Sequence, residues 1–182
     1  MMLSIFFVVL GFVSVIKSEH CLRQKEQSLI SSIRSTLKTL EEDLAGKYAE
    51  CQTGWKEYKN HCYYFSSDTK TWHEAEKICR NMGGYLVQIT DSSENSWVVT
   101  ILTKAVQHQF GYWMGATNVK EGLWKWINDL SKVQYSNWNP GQPDNYGDEE
   151  DCASFWKDIK YNWNDAPSNY SGIGYICEKT RA

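Results

Sequence analysis

Histidine and proline are scarce in this chain, and several common chemical motifs are absent. Among 182 residues there are four histidines and three prolines. The histidines lie away in sequence from the main group of acids and form no recognisable catalytic triad, which disfavours an enzyme; they are His20, His61, His73 and His108. No Cys-x-x-Cys pair and no His-Glu-x-x-His motif occurs, so zinc is disfavoured. Internal repeats and low-complexity segments are also missing, and the composition is that of a globular protein.

A long hydrophobic run is missing as well. The most apolar stretch, residues 3–16, has 14 residues, whereas crossing a bilayer takes roughly 20. Its length fits the apolar core of a secretory signal peptide, and Ser18 suits the position before cleavage. We therefore predict a signal peptide over residues 1–18 and a secreted, extracellular protein without stable membrane insertion. A membrane anchor is the alternative, but it would leave almost nothing on the cytoplasmic side.

Excess positive charge is absent too. The formal net charge is −3, and it becomes −4 if cleavage removes Lys17. Proteins that bind nucleic acid neutralise phosphates with Lys and Arg, so nucleic acid is disfavoured as a partner. Nine tryptophans and eleven tyrosines form a heavy aromatic load, and most of them are expected in a core. We predict one domain over residues 51–182, preceded by a helical segment over residues 19–50.

The segment before this domain has the periodicity of a coiled coil. Apolar residues recur at alternating spacings of three and four, which is the a/d pattern; they are Ile30, Ile33, Leu37, Leu40 and Leu44. A helix of about two heptads is marginal alone, so the pattern predicts self-association into a homo-oligomer. Packing of the helix on its own domain is the alternative. Cys21 precedes the helix, where it can join identical chains.

The pattern beyond Cys51 predicts an α+β fold. Aromatic residues between Cys51 and residue 65 indicate a hairpin closed by Cys51 and Cys62, and residues 67–80 have the apolar face of a helix. Asp91, with Glu94 three residues later, predicts the capped start of a second helix that continues to about residue 106. Short aromatic strands are predicted after it, in the segments YWMGA, GLWKWI, CASFW and GYICEK.

Six cysteines follow the predicted signal peptide. An even number in a secreted chain indicates disulfide bonds, and the candidates are Cys21, Cys51, Cys62, Cys79, Cys152 and Cys177. Six cysteines can pair in many ways, so their count alone does not select a connectivity.

The most informative feature is a group of acids and amides. Its acids fall within eight residues: Asp144, Asp148, Glu149, Glu150 and Asp151. Further oxygen-bearing residues lie beside them: Gln142, Asn145, Asn164 and Asp165. Crowded carboxylates repel one another, and Ca²⁺, which takes about 6–8 oxygen ligands, removes that repulsion. A solvated acidic loop is the alternative, but such a loop does not need the flanking Trp138 and Trp163.

Together these features resemble the C-type lectin family. The matching elements are Trp55 with the Cys51–Cys62 pair, EAEKIC from Glu74, WMGA from Trp113, Asn137-Trp138, QPD at 142–144, Glu150-Asp151-Cys152, WND at 163–165 and ICEK ending at Lys179. The resemblance covers residues 51–179 and is nearest to small secreted invertebrate lectins, including the perlucin-like proteins of molluscs. It implies the C-type lectin-like fold, with two helices, short antiparallel strands and long calcium-binding loops.

The resemblance also implies a sugar site built on one Ca²⁺. The implied side-chain ligands are Gln142, Asp144, Glu150, Asn164 and Asp165. In the family the peptide before the loop proline is cis, and two sugar hydroxyls complete the coordination. Each hydroxyl donates to an acid and accepts from an amide.

The motif QPD is associated in the family with galactose-type sugars, including N-acetylgalactosamine. The implied partners are therefore galactose-type glycans on glycoproteins or microbial surfaces. Tyr146 lies where galactose-type members often place an aromatic residue, whose ring can cover the apolar face of the sugar. Packing of Tyr146 within its own loop is the alternative.

Two disulfides follow from the resemblance, namely Cys51–Cys62 and Cys79–Cys177. The family's third pair is incomplete, because Ser168 stands where the partner of Cys152 belongs. Cys152 is then free, bonded to Cys21 or bonded to another chain. We expect a free thiol rather than an intramolecular bond to Cys21.

Two further sites are considered: an auxiliary Ca²⁺ site of the family and a glycosylation sequon. Residues near the family's auxiliary positions are Asn118, Glu121, Asn145, Glu150 and Asp151. Asn118 replaces a common acid and the loop to Glu121 is one residue short, so we expect no tight second ion. The sequon begins at Asn169 and predicts N-glycosylation close to the sugar site.

The leading functional prediction is a secreted, calcium-dependent lectin for galactose or N-acetylgalactosamine, with multivalent glycan recognition in innate defence or agglutination. The alternative is a calcium-binding protein of the extracellular matrix or of biomineral. This alternative is weakened because the acids are concentrated at one place. A protein-binding domain that has abandoned sugar is disfavoured, since all five implied ligand residues are present.

Overall fold

A computed structural model describes residues 23–44, 50–104, 108–118 and 122–181. The chain divides into two compact units, Met1–Ala49 and Glu50–Arg181. Within the first unit, residues 23–44 form helix α1. Its predicted a/d side chains are between 49% and 52% exposed. The predicted signal peptide and Cys21 lie outside the described residues, and no described helix is long and apolar enough to cross a membrane.

The second unit is the α+β domain that the sequence predicts. Its described elements are β1 (Lys56–Tyr58), β2 (His61–Phe65), α2 (Trp72–Asn81), β3 (Tyr85–Leu86), α3 (Ser92–Leu102), β4 (Gly111–Thr117), β5 (Lys125–Trp126), β6 (Cys152–Trp156), β7 (Trp163–Ala166) and β8 (Ile173–Thr180). Short 3₁₀ turns occupy Tyr146–Asp148 and Lys157–Ile159.

The strands form one mixed sheet. Their order is β1-β2-β8-β4-β6-β7, with β3 beside β8 and β5 beside β4. β8 runs parallel to β4, and the other pairs are antiparallel. The C-terminal strand therefore lies inside the sheet, and the Arg181 N–H donates to the Asn60 carbonyl (2.9 Å). This topology places β6 and β7 together at the opposite edge from β1.

Helix α2 begins five residues later than the apolar pattern predicts. The start is set by Thr71 and Glu74: the Thr71 N–H donates to Glu74 Oε2 (3.0 Å), and the Glu74 N–H donates to Thr71 Oγ1 (3.4 Å). Residues just before this cap cannot join the helix, because the Lys70 N–H donates to the Ile173 carbonyl of β8 (3.0 Å). A contact distant in sequence thus overrides the local periodicity.

Helix α3 starts at the predicted cap. The Glu94 N–H donates to Asp91 Oδ1 (2.8 Å). The Glu94 side chain does not complete the box with Asp91. It is buried, and it accepts from the Thr90 N–H (2.8 Å) and from the Tyr63 hydroxyl (2.6 Å). The Glu94 side chain therefore binds the backbone just before α3 and also joins α3 to β2. The helix ends at Leu102, so its predicted continuation is wrong for residues 103 and 104, which form a turn. Residues 105 and 106 of the predicted helix lie outside the described residues.

Trp163, the first residue of β7, is a centre of the core. Its side chain is fully buried. Four aromatic rings meet it nearly edge to face at centroid distances of 5.6–6.3 Å, and they belong to Trp126, Tyr135, Trp138 and Phe155. The indole Nε1–H donates to Asn95 Oδ1 (2.9 Å), so the polar atom of the buried ring is satisfied. This packing and hydrogen bond hold Trp163 in place, and they thereby help to position the two residues that follow it on β7.

Two disulfides cross-link the domain. They join Cys51 to Cys62 and Cys79 to Cys177, which are the pairs that the family pattern implies. Cys152 is a free cysteine, and its side chain is buried.

The two disulfides should contribute unequally to stability. They close loops with sequence separations of 98 and 11 residues, so loop-closure entropy predicts a loss of roughly 5 kcal/mol for Cys79→Ala with Cys177→Ala, against roughly 3 kcal/mol for Cys51→Ala with Cys62→Ala. Urea unfolding of both double variants measures these losses in the free energy of unfolding. Equal losses would contradict the entropic explanation.

Candidate functional site

The acid-rich loop is fixed along β7 by backbone hydrogen bonds. The Trp163 N–H donates to the Asn137 carbonyl, and the Asn139 N–H donates to the Trp163 carbonyl, both at 2.9 Å. The Trp138 ring packs between two other indoles, 4.7 Å from Trp124 and 5.6 Å from Trp163. Both tryptophans that flank the acids in sequence therefore hold the loop against the core.

Beyond this anchor the loop turns sharply back on itself. The Gln142–Pro143 peptide is cis, as the family resemblance implies. Asn145 and Asp148 then have left-handed backbone, with φ of 46° and 58°, on either side of the glycine at 147. Asn and Asp tolerate this conformation better than most residues. The reversal brings Glu150 back beside Asp144.

The carboxylate of Asp165 joins this turn to β7. Asp165 is fully buried. Its Oδ1 accepts the Asp144 N–H (3.3 Å), and its Oδ2 accepts the Asn145 N–H (2.8 Å). Glu150 makes a parallel contact, because its Oε2 accepts the Tyr146 N–H (3.2 Å). The loop conformation is therefore held by the same acids that are predicted to bind the ion.

Three acids converge at this point. One carboxylate oxygen from each of Asp144, Glu150 and Asp165 lies within 4.8 Å of the others. Calcium binds oxygens at about 2.3–2.6 Å, so oxygens up to about 5 Å apart can share one ion. These three side chains range from exposed Asp144 to buried Asp165, which gives a site with one closed and one open side. We refer to these three residues as the acid triad.

The electrostatics of the acid triad favour a cation. The pKa of Glu150 is raised to about 7, mainly by burial and also by the neighbouring Asp165 and Asp144 carboxylates, while the hydrogen bond from the Tyr146 N–H acts in the opposite direction. Burial also raises the pKa of Asp165. Both shifts mean that the charged forms are unfavourable without a positive partner. A hard divalent cation supplies that partner.

The two predicted amide ligands border the acid triad. Gln142 Oε1 accepts the Asp144 N–H (3.1 Å). Asn164 immediately precedes Asp165 on β7, and its amide donates to the Asp165 carbonyl. All five predicted ligand residues thus come from two adjoining segments, the loop and β7. Their donor set of carboxylates and amides is the one that Ca²⁺ prefers.

Tyr146 and the residues of the predicted auxiliary site differ in exposure and in hydrogen bonding. The Tyr146 side chain is 79% exposed, so the alternative that it packs within its own loop is wrong. Asn118 is buried, and its Oδ1 accepts the Leu123 N–H (3.0 Å). Asn145 Oδ1 accepts the Glu150 N–H (3.0 Å), and Asp151 is exposed. Glu121 lies outside the described residues, and the absence of a tight second ion stays a prediction.

Some residues that support the site were not predicted. Asn95 on α3 satisfies the Trp163 indole, and no local motif indicates a contact across 68 residues. A chain of asparagines also fixes the loop: Asn137 Nδ2 donates to Asn162 Oδ1 (2.9 Å), and Asn162 Nδ2 donates to Asn139 Oδ1 (3.4 Å). The repeated Asn residues around Trp138 and Trp163 are the sequence feature from which these supporting contacts could have been predicted.

The sequon residue Asn169 is exposed.

Comparisons with known proteins agree on one family. The family described as "Lectin C-type domain" matches residues 68–179. A perlucin-like protein of Mytilus galloprovincialis is 57% identical over 128 residues, which cover 70% of this chain and 81% of that protein. Perlucin of Haliotis laevigata is 35% identical over 137 residues, covering 72% and 84%. The mouse scavenger receptor C-type lectin carbohydrate-recognition domain aligns with a TM-score of 0.65 at 34% identity, covering 72% of this chain and 98% of that domain. The chain belongs to the C-type lectin family.

Proposed function

We propose that this chain is a secreted lectin that binds galactose-type glycans with the help of Ca²⁺. The acid triad carries the proposal, because three carboxylates with oxygens within 4.8 Å of one another can bind a single cation together. A solved relative with a similar fold is described as a carbohydrate-recognition domain. Secretion rests on the apolar pattern of residues 3–16. The acids lie in one hydrogen-bonded cluster, which supports a sugar site over a matrix or mineral surface.

Five residues would hold the ion: Gln142, Asp144 and Glu150 from the loop, with Asn164 and Asp165 from β7. Bound Ca²⁺ supplies positive charge and free coordination positions for two neighbouring hydroxyls. The acids then accept hydrogen bonds from those hydroxyls, and the amides donate to them. In the QPD order, the amide of Gln142 comes first and donates to a sugar hydroxyl, and the carboxylate of Asp144 comes second and accepts from one. The exposed ring of Tyr146 is free to cover the apolar face of galactose.

The helix α1 extends this proposal to multivalency. A single shallow sugar site makes few contacts, and its affinity is weak. Linked sites can gain about 10²–10⁴ in avidity. The half-exposed a/d side chains of α1 favour self-association of identical chains, and Cys21 would lie beside that contact. The N-glycan predicted at Asn169 remains part of the same proposal.

Replacing one acid of the triad should abolish calcium-dependent binding. Glu150→Gln removes a charged ligand, so Ca²⁺ affinity should fall by more than the roughly tenfold typical of a lost supporting residue. Glu149→Gln is the matched control, because Glu149 is adjacent, exposed and equal in charge. Retention on a galactose resin, with Ca²⁺ and then with EDTA, measures the effect. Undiminished retention of the unaltered protein in EDTA would falsify the proposal.

Calcium affinity should fall as the pH drops below 7. The raised pKa of Glu150, about 7, means that this carboxyl carries a proton in mildly acidic solution when no ion is bound. The ion competes with that proton, so affinity should decrease by up to about tenfold per pH unit for each proton released. Calorimetric Ca²⁺ titrations at several pH values, in buffers of different ionisation enthalpy, count the protons. Constant affinity from pH 8 to pH 5.5 contradicts this prediction.

The sugar preference should reverse when acid and amide exchange places. In the double variant Gln142→Glu with Asp144→Asn, the donor and acceptor sides of the site are swapped while the ligand count is kept. Competition of free galactose and free mannose for a glycan surface measures the preference. We expect mannose to become the better inhibitor. Unaltered preference for galactose, with Ca²⁺ binding retained, would show that hydroxyl donor–acceptor matching does not set specificity.

The full-length protein should self-associate through α1. Leu37→Glu places a charge on the apolar a/d face, so it should dissociate the oligomer, whereas Lys38→Glu changes charge on a neighbouring exposed position and should not. Light scattering under reducing and non-reducing conditions measures the mass. If the unaltered protein is monomeric in both conditions, the oligomer is excluded.

A further inference from the structure

Two buried acids lie near the point where β2, β3 and β8 meet. Glu178 on β8 is 3% exposed, and Glu94 on α3 is 5% exposed. The register partners of Glu178 are Tyr63 on β2 and Tyr85 on β3, so this acid lies beside both strands. Burial raises the pKa of Glu178, and the nearby Glu94 carboxylate adds to that rise. The charged form of Glu178 is therefore unfavourable without a positive partner.

The His61 side chain is that partner. Its Nδ1 lies 2.5 Å from Glu178 Oε1. The other contacts of this carboxylate come from neutral donors, because the Tyr85 hydroxyl (3.1 Å) and the Gln88 N–H (2.9 Å) donate to it. Among the described ion pairs, no other basic group joins Glu178 or Glu94. The proton on the His61–Glu178 pair thus decides whether the buried charge is compensated.

Other titratable groups around the pair do not replace this proton. Burial raises the pKa of Tyr63 and of Tyr85, so both phenols remain neutral donors. Lys56 on β1 is exposed. The remaining basic side chains on the adjoining segments contact other groups: Lys59 contacts Asp91, Arg181 contacts Glu57 and Lys179 contacts Gln52.

We propose that His61 and Glu178 form a pH-sensitive switch, which holds β2 and β3 on β8 while one proton lies between them and loosens these strands when mildly alkaline solution removes it. Two groups this close titrate as a pair, so the proton belongs to both. The His61 side chain is 38% exposed, which lets water take the proton without unfolding. Glu178 is then left as an unpaired buried charge beside Glu94, and such a charge is strongly destabilising.

The direction of the pH dependence follows from the contact between the two groups. The contact with Glu178 raises the pKa of His61 above its ordinary value of 6.5, so the folded chain keeps the proton at a pH where the unfolded chain has lost it. Stability from the pair is complete below pH 6.5 and is lost as the pH rises through the raised pKa. This direction is opposite to that predicted for Ca²⁺ binding at the acid triad. The two proton sites therefore limit the working pH range from opposite sides.

Urea unfolding of the full-length protein between pH 6 and pH 8.5 tests the proposal. All nine tryptophans lie beyond residue 50, so their fluorescence reports on the second unit. The folding equilibrium constant of the unaltered protein should fall by up to about tenfold per pH unit, the slope for one proton. Glu178→Gln keeps the size of the side chain and needs no positive partner, so this fall should be absent. His73→Gln should keep it, because His73 is exposed and in none of the described ion pairs.

Comparing the three proteins at each pH cancels the titration of groups that they share, including Glu150 and Cys152. An equal fall in the unaltered protein and in Glu178→Gln would overturn the proposal.

Two further measurements use the unaltered protein and do not depend on the folding of a variant. The imidazole NMR signals of His61 should titrate above pH 6.5. Hydrogen exchange should show that the amides of β2 and β3 lose protection between pH 7 and pH 8.5 before those of β6 and β7. A His61 that titrates at or below pH 6.5, or a uniform loss of protection over the sheet, contradicts the switch.

Discussion

The buried carboxylate of Asp165 is the contact on which the geometry of the site depends. Burying an acid is unfavourable unless its oxygens receive hydrogen bonds. Here the donors are the backbone N–H groups of Asp144 and Asn145. These bonds hold the loop against β7, and β7 is itself held by Trp163 within four aromatic rings. The position of the loop thus follows from the core, and the loop in turn places Asp144 and Glu150.

The domain contains two further buried acids, Glu94 and Glu178, whose carboxylates have different hydrogen-bond partners. Glu178 accepts from the Tyr85 hydroxyl (3.1 Å) and the Gln88 N–H (2.9 Å), and one of its oxygens lies 2.5 Å from His61 Nδ1. This contact raises the pKa of His61. The acid triad has backbone donors and, among the described residues, no ion pair with a basic side chain. Buried Glu94 likewise accepts from neutral donors, the Thr90 N–H and the Tyr63 hydroxyl. The acid triad differs because three carboxylates converge at one point.

The sequence predicted features that depend on near neighbours and on the family pattern. The Asp91 cap is local, because it needs a carboxylate three residues before a free N–H. The start of α2 depends on Lys70 meeting Ile173, so the local pattern placed it too early. Strand β7 was not predicted, since WND does not alternate between apolar and polar residues. The grouping of the acid triad came from the resemblance, because only the fold brings residue 165 to residues 144 and 150.

Covalent restraint is unevenly distributed over the domain. Both disulfides join elements around β2, β8 and α2, and the β6–β7 edge has no cross-link among the described residues, because Cys152 is free. That edge carries the acid triad and is held by hydrogen bonds and aromatic packing. An ion that binds only the folded protein stabilises it by an amount that grows with ion concentration. In this chain such stabilisation would act on the half of the sheet without a disulfide, so metal binding would replace the restraint that Ser168 cannot provide.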